Sequence, residues 1–363
     1  MSIKGKVTFV RHFLSMTKKT VILFSLSICI GVVCPAQVSE QNSVDYKPNI
    51  HGTIRAKYEY QPEDNKGRFE VRNARVSVDG NVARNVSYKA EIDLSDEGEI
   101  KMLDAYARLA IVDNLKFTAG QFRVPFTIDA HRSPHMQYFA NRSFIAKEMG
   151  SVRDVGATLA YSLGNERFPI SVEAGLFNGL GITDQKLGWT NTFCFSAKAI
   201  LAYKSGSNLY NLTLSTQKRR PNSVSVMMYD AGAYFENKRI HAEVEYMYKH
   251  YSKNAFTNAH ALDVFVSYGF PLNRCFFSRI SPLVRFDYMT DNSDGEDFTD
   301  ESKSRFKLTD YERSRITAGV TLTILKPFAT DIRLNYENYF YRKNSIPDVS
   351  EKDKFVIELM ARF

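Results

Sequence analysis

The last nine residues constrain the chain more than any other stretch. From Phe355 to Phe363 every odd position is apolar: Phe355, Ile357, Leu359, Ala361 and Phe363. A period of two belongs to a strand with one greasy face. The same alternation returns upstream. Val86, Tyr88, Ala90, Ile92 and Leu94 oppose Ser87, Lys89, Glu91 and Asp93. Ile240, Ala242, Val244, Tyr246 and Tyr248 oppose His241, Glu243, Glu245 and Lys249, and Ile332, Leu334 and Tyr336 oppose Asp331, Arg333, Asn335 and Glu337. A soluble sandwich hides its apolar faces between two sheets and shows water an ordinary polar surface. Here the polar face carries charges at mid-strand, which fits a sheet rolled around water.

Mean hydropathy is negative, and no internal run approaches the roughly 20 apolar residues of a membrane helix. Lipid offers the backbone no hydrogen bonds, so such a chain crosses a membrane only with strands closed on themselves. From Asn49 onward it divides into sixteen segments: 49–60, 67–79, 84–94, 99–111, 114–122, 152–163, 168–177, 191–203, 207–217, 224–236, 238–250, 257–270, 278–290, 311–325, 328–341 and 352–363. Tight turns at Asp113-Asn114, Ser205-Gly206-Ser207, Glu236-Asn237-Lys238 and Lys326-Pro327 interleave with longer links at 123–151, 178–190, 291–310 and 342–351. Counted from an amino terminus in the periplasm, every long link falls on the outer side, as expected of a transmembrane antiparallel up-and-down β-barrel. This all-β class is the predicted fold, with residues 49–363 as the barrel. Tyr58, Tyr60, Phe117, Phe122, Tyr246, Tyr248, Tyr251, Tyr268, Phe270, Tyr336, Tyr339 and Tyr341 cluster near strand ends, where amphipathic rings form membrane girdles.

The amino terminus agrees. Lys18-Lys19 precede the apolar run Val21–Val33, and Pro35-Ala36 follow, which reads as a secretory signal over 1–36 with a cut after Ala36. Residues 37–48 are then a short periplasmic linker. Either the long basic start is an extended leader or Met16 is the true beginning. The signal carries Lys4, Lys6, Arg11, Lys18 and Lys19 and no acid; without them 43 basic residues face 40 acidic. That balance excludes a nucleic-acid partner by composition. Of the cysteines left, Cys194 and Cys275 are expected to be unpaired.

The link 123–151 is the one with chemical content. Its 29 residues are too many for an idle loop. Phe126, Ile128, Met136, Tyr138, Phe139, Phe144 and Ile145 should pack on something. Arg123, Arg132, Arg142, Lys147 and Arg153, with His131 and His135, face only Asp129, Glu148 and Asp154. A basic ring in a narrow pore lowers the barrier for anions; alternatively the same charges pair with Glu91, Asp93, Asp104 and Glu243 and pin the link. On the alternating register Arg55, Lys57, Lys89, Asp104, Arg108, Arg285 and Arg333 face the lumen. The carboxylates Asp291, Asp294, Glu296, Asp297, Asp300 and Glu301 lack the helical-loop calcium spacing and read as a solvated loop. No nucleophile motif, Walker loop or Cys-x-x-Cys is present, and no metal or cofactor is expected.

Several segments together carry a family resemblance. They are Gly120-Gln121-Phe122-Arg123-Val124-Pro125-Phe126, Asn141-Arg142-Ser143-Phe144, Arg153-Asp154-Val155-Gly156, and Phe69-Glu70-Val71-Arg72-Asn73-Ala74-Arg75-Val76. The chain resembles the phosphate-selective porin O and P family from about Asn49 to its end, and its last strand resembles the closing strand of a bacterial outer-membrane barrel. The resemblance implies a sixteen-stranded channel, usually trimeric, whose third loop folds into the lumen. Asn141 stands where members often carry an acid, and no lysine-rich tract matches the phosphate-specific members. The expectation is therefore passive diffusion of small hydrophilic solutes with a modest anion preference. Outer-membrane lipid and lipopolysaccharide, the barrel assembly machinery and a homotrimer are the implied partners. After the expected cut only about a dozen residues, Gln37–Pro48, precede the first strand, so no plug domain is expected. A barrel with an enzymatic (hydrolase) or adhesive role is the alternative.

Overall fold

A computed structural model describes residues 44–363, apart from 97, 150–152, 184, 188, 221–223, 273–275, 296–305, 325–328 and 343–344. The expected signal 1–36 lies outside the described residues. So do most of the linker, Cys275, the Lys326-Pro327 turn, and Glu296, Asp297, Asp300 and Glu301.

Seventeen strands follow in chain order: β1 Asn49–Gln61, β2 Lys66–Ala83, β3 Val86–Asp96, β4 Glu99–Val112, β5 Leu115–Arg123, β6 Arg153–Gly164, β7 Pro169–Phe177, β8 Cys194–Ser205, β9 Asn208–Arg219, β10 Val226–Glu236, β11 Ile240–Tyr251, β12 Ala259–Tyr268, β13 Phe270–Pro271, β14 Arg279–Met289, β15 Arg313–Ile324, β16 Thr330–Tyr341 and β17 Lys354–Arg362. β12 and the two-residue β13 are pieces of one span broken at Gly269, where the amide turns to the Arg239 carbonyl. Sixteen spans therefore close the sheet, each antiparallel to its neighbours. The sixteen expected segments agree with these spans to within a few residues. β2 runs furthest past its expected end, to Ala83, across a register shift beside β3.

Closure is made by the two ends of the described chain. β1 pairs with β17 from Thr53↔Arg362 to Tyr60↔Phe355. Beyond that register, the Gly52 amide donates to the Phe363 carbonyl at 2.7 Å and the Phe363 amide donates back at 3.0 Å. The ring of Phe363 lies over Gly52, where a β-carbon would fall 2.1 Å from the ring. Only glycine leaves that space.

The two faces sort as the alternation requires. Phe355, Ile357 and Leu359 are half exposed on the outside, whereas Val356, Glu358 and Met360 are buried inside. Val244 and Tyr246 face out; Glu243, Glu245 and Lys249 are buried within. One expectation needs correction. Phe122, Tyr251 and Tyr339 do not join an outer girdle. They turn inward and are buried, because the third link fills that end of the lumen and gives them protein to pack on.

Replacing Gly52 with Leu should displace Phe363 from its seat and weaken the β1–β17 seam by about 1–3 kcal/mol, the usual range for overpacking. Gel mobility of unheated samples and urea midpoints measure this. A Gly52→Leu barrel with wild-type values for both would show that the seat is dispensable.

Candidate functional site

Between β5 and β6 the chain does not leave the barrel mouth but folds into it. The segment makes two short 3-10 turns, Asp129–His131 and Pro134–Met136, and a π-helical turn, Ile145–Met149. Pro134 opens the second turn and so separates His131 from His135. Val124, Phe126, Phe144, Ile145 and Met149 are buried against inward side chains at the long-link ends of the strands, among them Phe177, Met228, Met247 and Met289. Burying each such side chain is worth about 1.5–3 kcal/mol. The link is therefore part of a core.

Its backbone is held by the wall. Ser196 Oγ donates to the Pro125 carbonyl at 2.9 Å. The Thr127 amide donates to Ser215 Oγ at 3.1 Å, and Lys198 Nζ donates to the Thr127 carbonyl at 2.5 Å. The amides of Ile128 and Asp129 both donate to the Glu245 carboxylate, the second at 3.3 Å. Gly232 on β10 lies beneath Ile128; a β-carbon there would stand 2.5 Å from Ile128 Cδ1. Further along, three wall arginines grip successive carbonyls: Arg55 takes Ala140 at 2.5 Å, Arg285 takes Asn141 at 3.1 Å and Arg315 takes Arg142 at 2.7 Å. Asn335 Oδ1 accepts the Ala140 amide at 2.9 Å. Bonds to charged groups are worth about 1.5–3 kcal/mol each when buried.

The five expected constriction residues meet different fates. Arg132 pairs with Glu243 and lies 3.4 Å from Asp129 Oδ1. Arg153 pairs with Asp104 at 2.7 Å and Glu91 at 3.2 Å. Lys147 pairs with Glu148 at 2.9 Å and with Glu351, on the last long link, at 2.7 Å. Arg123 and Arg142 differ. Arg123 donates to the Ala130 carbonyl at 2.9 Å, and Arg142 donates to the Asp129 and Arg132 carbonyls at 2.6 and 2.9 Å. Neither makes an ion pair among the described residues. The seven expected lumen residues point inward. Arg55 and Arg333 share Glu358, Lys57 pairs with Glu59 and Glu70, and Lys89 bridges Glu91 and Asp104. Arg108 meets Thr118 and the Tyr106 ring, and Arg285 meets Asp287 at 2.8 Å.

The link's charges respond to this crowding. Burial lowers the proton affinity of Arg142 most, and the guanidiniums of Arg123, Arg75 and Arg55 add to it; against Asp129 they hold it down at about 9. Burial pushes the Asp129 carboxyl up, but Arg142, Arg132 and Arg285 outweigh it and bring it to about 2. A narrow space of about 80 Å³ opens beside Arg142, lined by nine basic side chains and only Glu59 and Glu351 as acids. A mobile anion there would relieve the repulsion between guanidiniums.

Sequence reasoning missed the wall anchors Glu245, Ser196, Ser215, Lys198, Asn335 and Gly232 as determinants of the site. Alternation places Glu245 inside, but nothing local says that its partners are amides about 116 residues away.

The family model described as phosphate-selective porin O and P matches residues 44–268. No curated protein matches the chain by sequence. Solved structures that share the fold include an anion-selective porin from Comamonas acidovorans (10% identity, 87% of this chain and 99% of that one, TM-score 0.59). OprB of Pseudomonas putida is another (11% identity, 87% and 94%, TM-score 0.58). A third is OmpT of Vibrio cholerae in a trimer form (11% identity, 87% and 99%, TM-score 0.56). At such identities the likeness is one of fold.

Two outcomes follow from the anchoring. Glu245→Ala should leave the Ile128 and Asp129 amides without an acceptor, at about 1–3 kcal/mol. Hydrogen exchange at those amides should rise by roughly tenfold or more, with strand amides unchanged. Unaltered exchange would mean that the carboxylate does not hold the link.

The second outcome concerns Glu148. Burial, with Glu351 and Asp310 adding to it against Lys147, pushes its carboxyl up to about 7. Arg313 also faces it, at 3.5 Å. Because the docked pKa is above the released value, the docked link binds the extra proton. That stabilisation is full below the usual glutamate range and fades as pH rises through about 7. Exchange at 145–149, corrected for intrinsic rates, should therefore rise between about pH 6 and about pH 8, and Glu148→Gln should flatten the change.

Proposed function

This chain belongs to the phosphate-selective porin O and P family, and from that premise we propose that it is a passive diffusion channel with a modest preference for small anions, phosphate among them. It is an outer-membrane porin, a channel rather than an enzyme. The observation that carries the anion preference is the pair Arg123 and Arg142. They lie in the constricted half of the lumen, with further guanidiniums near them and no carboxylate in ion-pair reach among the described residues. Charges in a confined, partly buried space are screened less than those on an open surface. Arg132, Arg153 and Lys147 serve mainly to hold the link, since each already faces a carboxylate. The preference is modest because most lumen cations are paired in this way.

The same proposal extends to export and assembly. Residues 1–36 export the chain and are removed. The mature protein sits among lipid and lipopolysaccharide, is inserted by the barrel assembly machinery, and works as a homotrimer, the form in which the OmpT neighbour is described.

Reversal potentials under a salt gradient test the anion preference. In wild type, chloride should be favoured over potassium. Arg123→Gln with Arg142→Gln should reduce that ratio about fivefold, the factor equivalent to about 1 kcal/mol of lost attraction. A cation-selective wild type, or a double variant with an unchanged reversal potential, removes the two arginines from the account.

A further inference from the structure

Below the third link, toward the short turns, the lumen holds a second space of about 500 Å³. That is a normal size for a small-molecule pocket. One wall is a cluster of stacked rings from several parts of the chain. His241 of β11 stacks with Tyr138 of the link, at 4.5 Å and 28°, with Tyr234 of β10, at 5.2 Å and 27°, and with Phe265 of β12, at 5.2 Å and 20°. His241 is buried, whereas the two tyrosines are partly open to the cavity. Tyr138 is further engaged by Phe265 and by the Arg132 guanidinium. Tyr234 meets no second ring and no cation among the described residues. Its ring is partly exposed and lines the cavity.

The polar lining is unbalanced in sign. Glu236 already faces His241 at 3.2 Å, and Asp331 already faces Arg333 at 3.0 Å and Thr323. Lys198, which also holds the Thr127 carbonyl, and Arg279 line the same cavity and make no ion pair among the described residues. Ile128, Ile200 and Leu283 supply apolar surface between them. A flat apolar face beside cations that face no carboxylate selects a flat, apolar anion. Phosphate has the charge but no ring to stack; a sugar has a face but no charge for Lys198.

We propose that this cavity is a binding subsite for aromatic carboxylates, with the ring stacked on Tyr234 and the carboxylate drawn to Lys198 or Arg279. The inference deepens the proposed function and rests on it, since it presumes a channel that passes anions. It makes the space beneath the constriction a station for one class of organic anion on the way through.

The test uses the full mature protein in a planar bilayer at low salt, where charge attraction is little screened. Benzoate, cyclohexanecarboxylate and inorganic phosphate are added in turn from the short-turn side, and the concentration that halves the current is read for each. Benzoate should act at a concentration about fivefold lower than cyclohexanecarboxylate, the ratio that about 1 kcal/mol of ring stacking produces. Tyr234→Phe should keep that gap and Tyr234→Ala should close it. Lys198→Gln should weaken both carboxylates together. Equal action of the two carboxylates on wild type overturns the subsite, as does a gap that survives Tyr234→Ala. Phosphate acting as strongly as benzoate overturns it too, since charge alone would then suffice. A wild type that conducts anions but shows no gap removes only this inference. One that forms no channel, or a cation-selective one, removes the proposed function and the subsite with it.

Discussion

Everything in this structure depends on the closing seam between β1 and β17. A sheet in hydrocarbon has no tolerated edge, since each unsatisfied backbone group costs several kcal/mol there. The first and last strands must therefore meet, and they do so through an unbroken ladder ending in the reciprocal pair between Gly52 and Phe363. Once the seam is shut, the side-chain period of two has only one reading. Apolar residues face outward except where the third link gives them a core, and charged residues share an enclosed lumen in which they must find one another.

The third link follows from that enclosure. A stretch this apolar needs a core, and the inward rings and methionines at the long-link end provide one. Its backbone would be left unsatisfied on entering, so wall side chains supply the missing partners: Glu245 for two amides, and Arg55, Arg285 and Arg315 for three successive carbonyls. The pore's charge pattern is a by-product of that anchoring. Cations that face carboxylates are neutralised in place. Arg123 and Arg142 donate to carbonyls instead and make no ion pair among the described residues.

How much of this was legible in the sequence differs from residue to residue. The inward setting of Glu243, Glu245, Arg333 and Glu337 was read correctly, because alternation is a local property of a strand. The pairing of Arg153 with Asp104 and Glu91, and of Arg132 with Glu243, was one of two open readings, and geometry selected it. Tyr251 and Tyr339 were misjudged. Nearness to a strand end is the same for a ring that looks at lipid and one that looks at a folded-in loop. The ring stack of Tyr138, His241 and Tyr234 left no trace at all, since its members lie on a loop and two neighbouring strands and share no sequence pattern.

The amino-acid sequence by itself determined the class of fold, the number of crossings, the side of the sheet each residue takes and the family. All of these rest on short-range periodicity, on turn placement and on local motifs. Tertiary structure alone decided which charges find ion-pair partners. Arg55 meets a glutamate 303 residues away and Arg132 one 111 residues away, and such pairs exist only when the barrel closes and the link docks. Coulomb attraction falls inversely with distance, so the nearest charges count most. Whether a lumen arginine is a spent anchor or an open charge is therefore a matter of which atoms the closed barrel sets beside it.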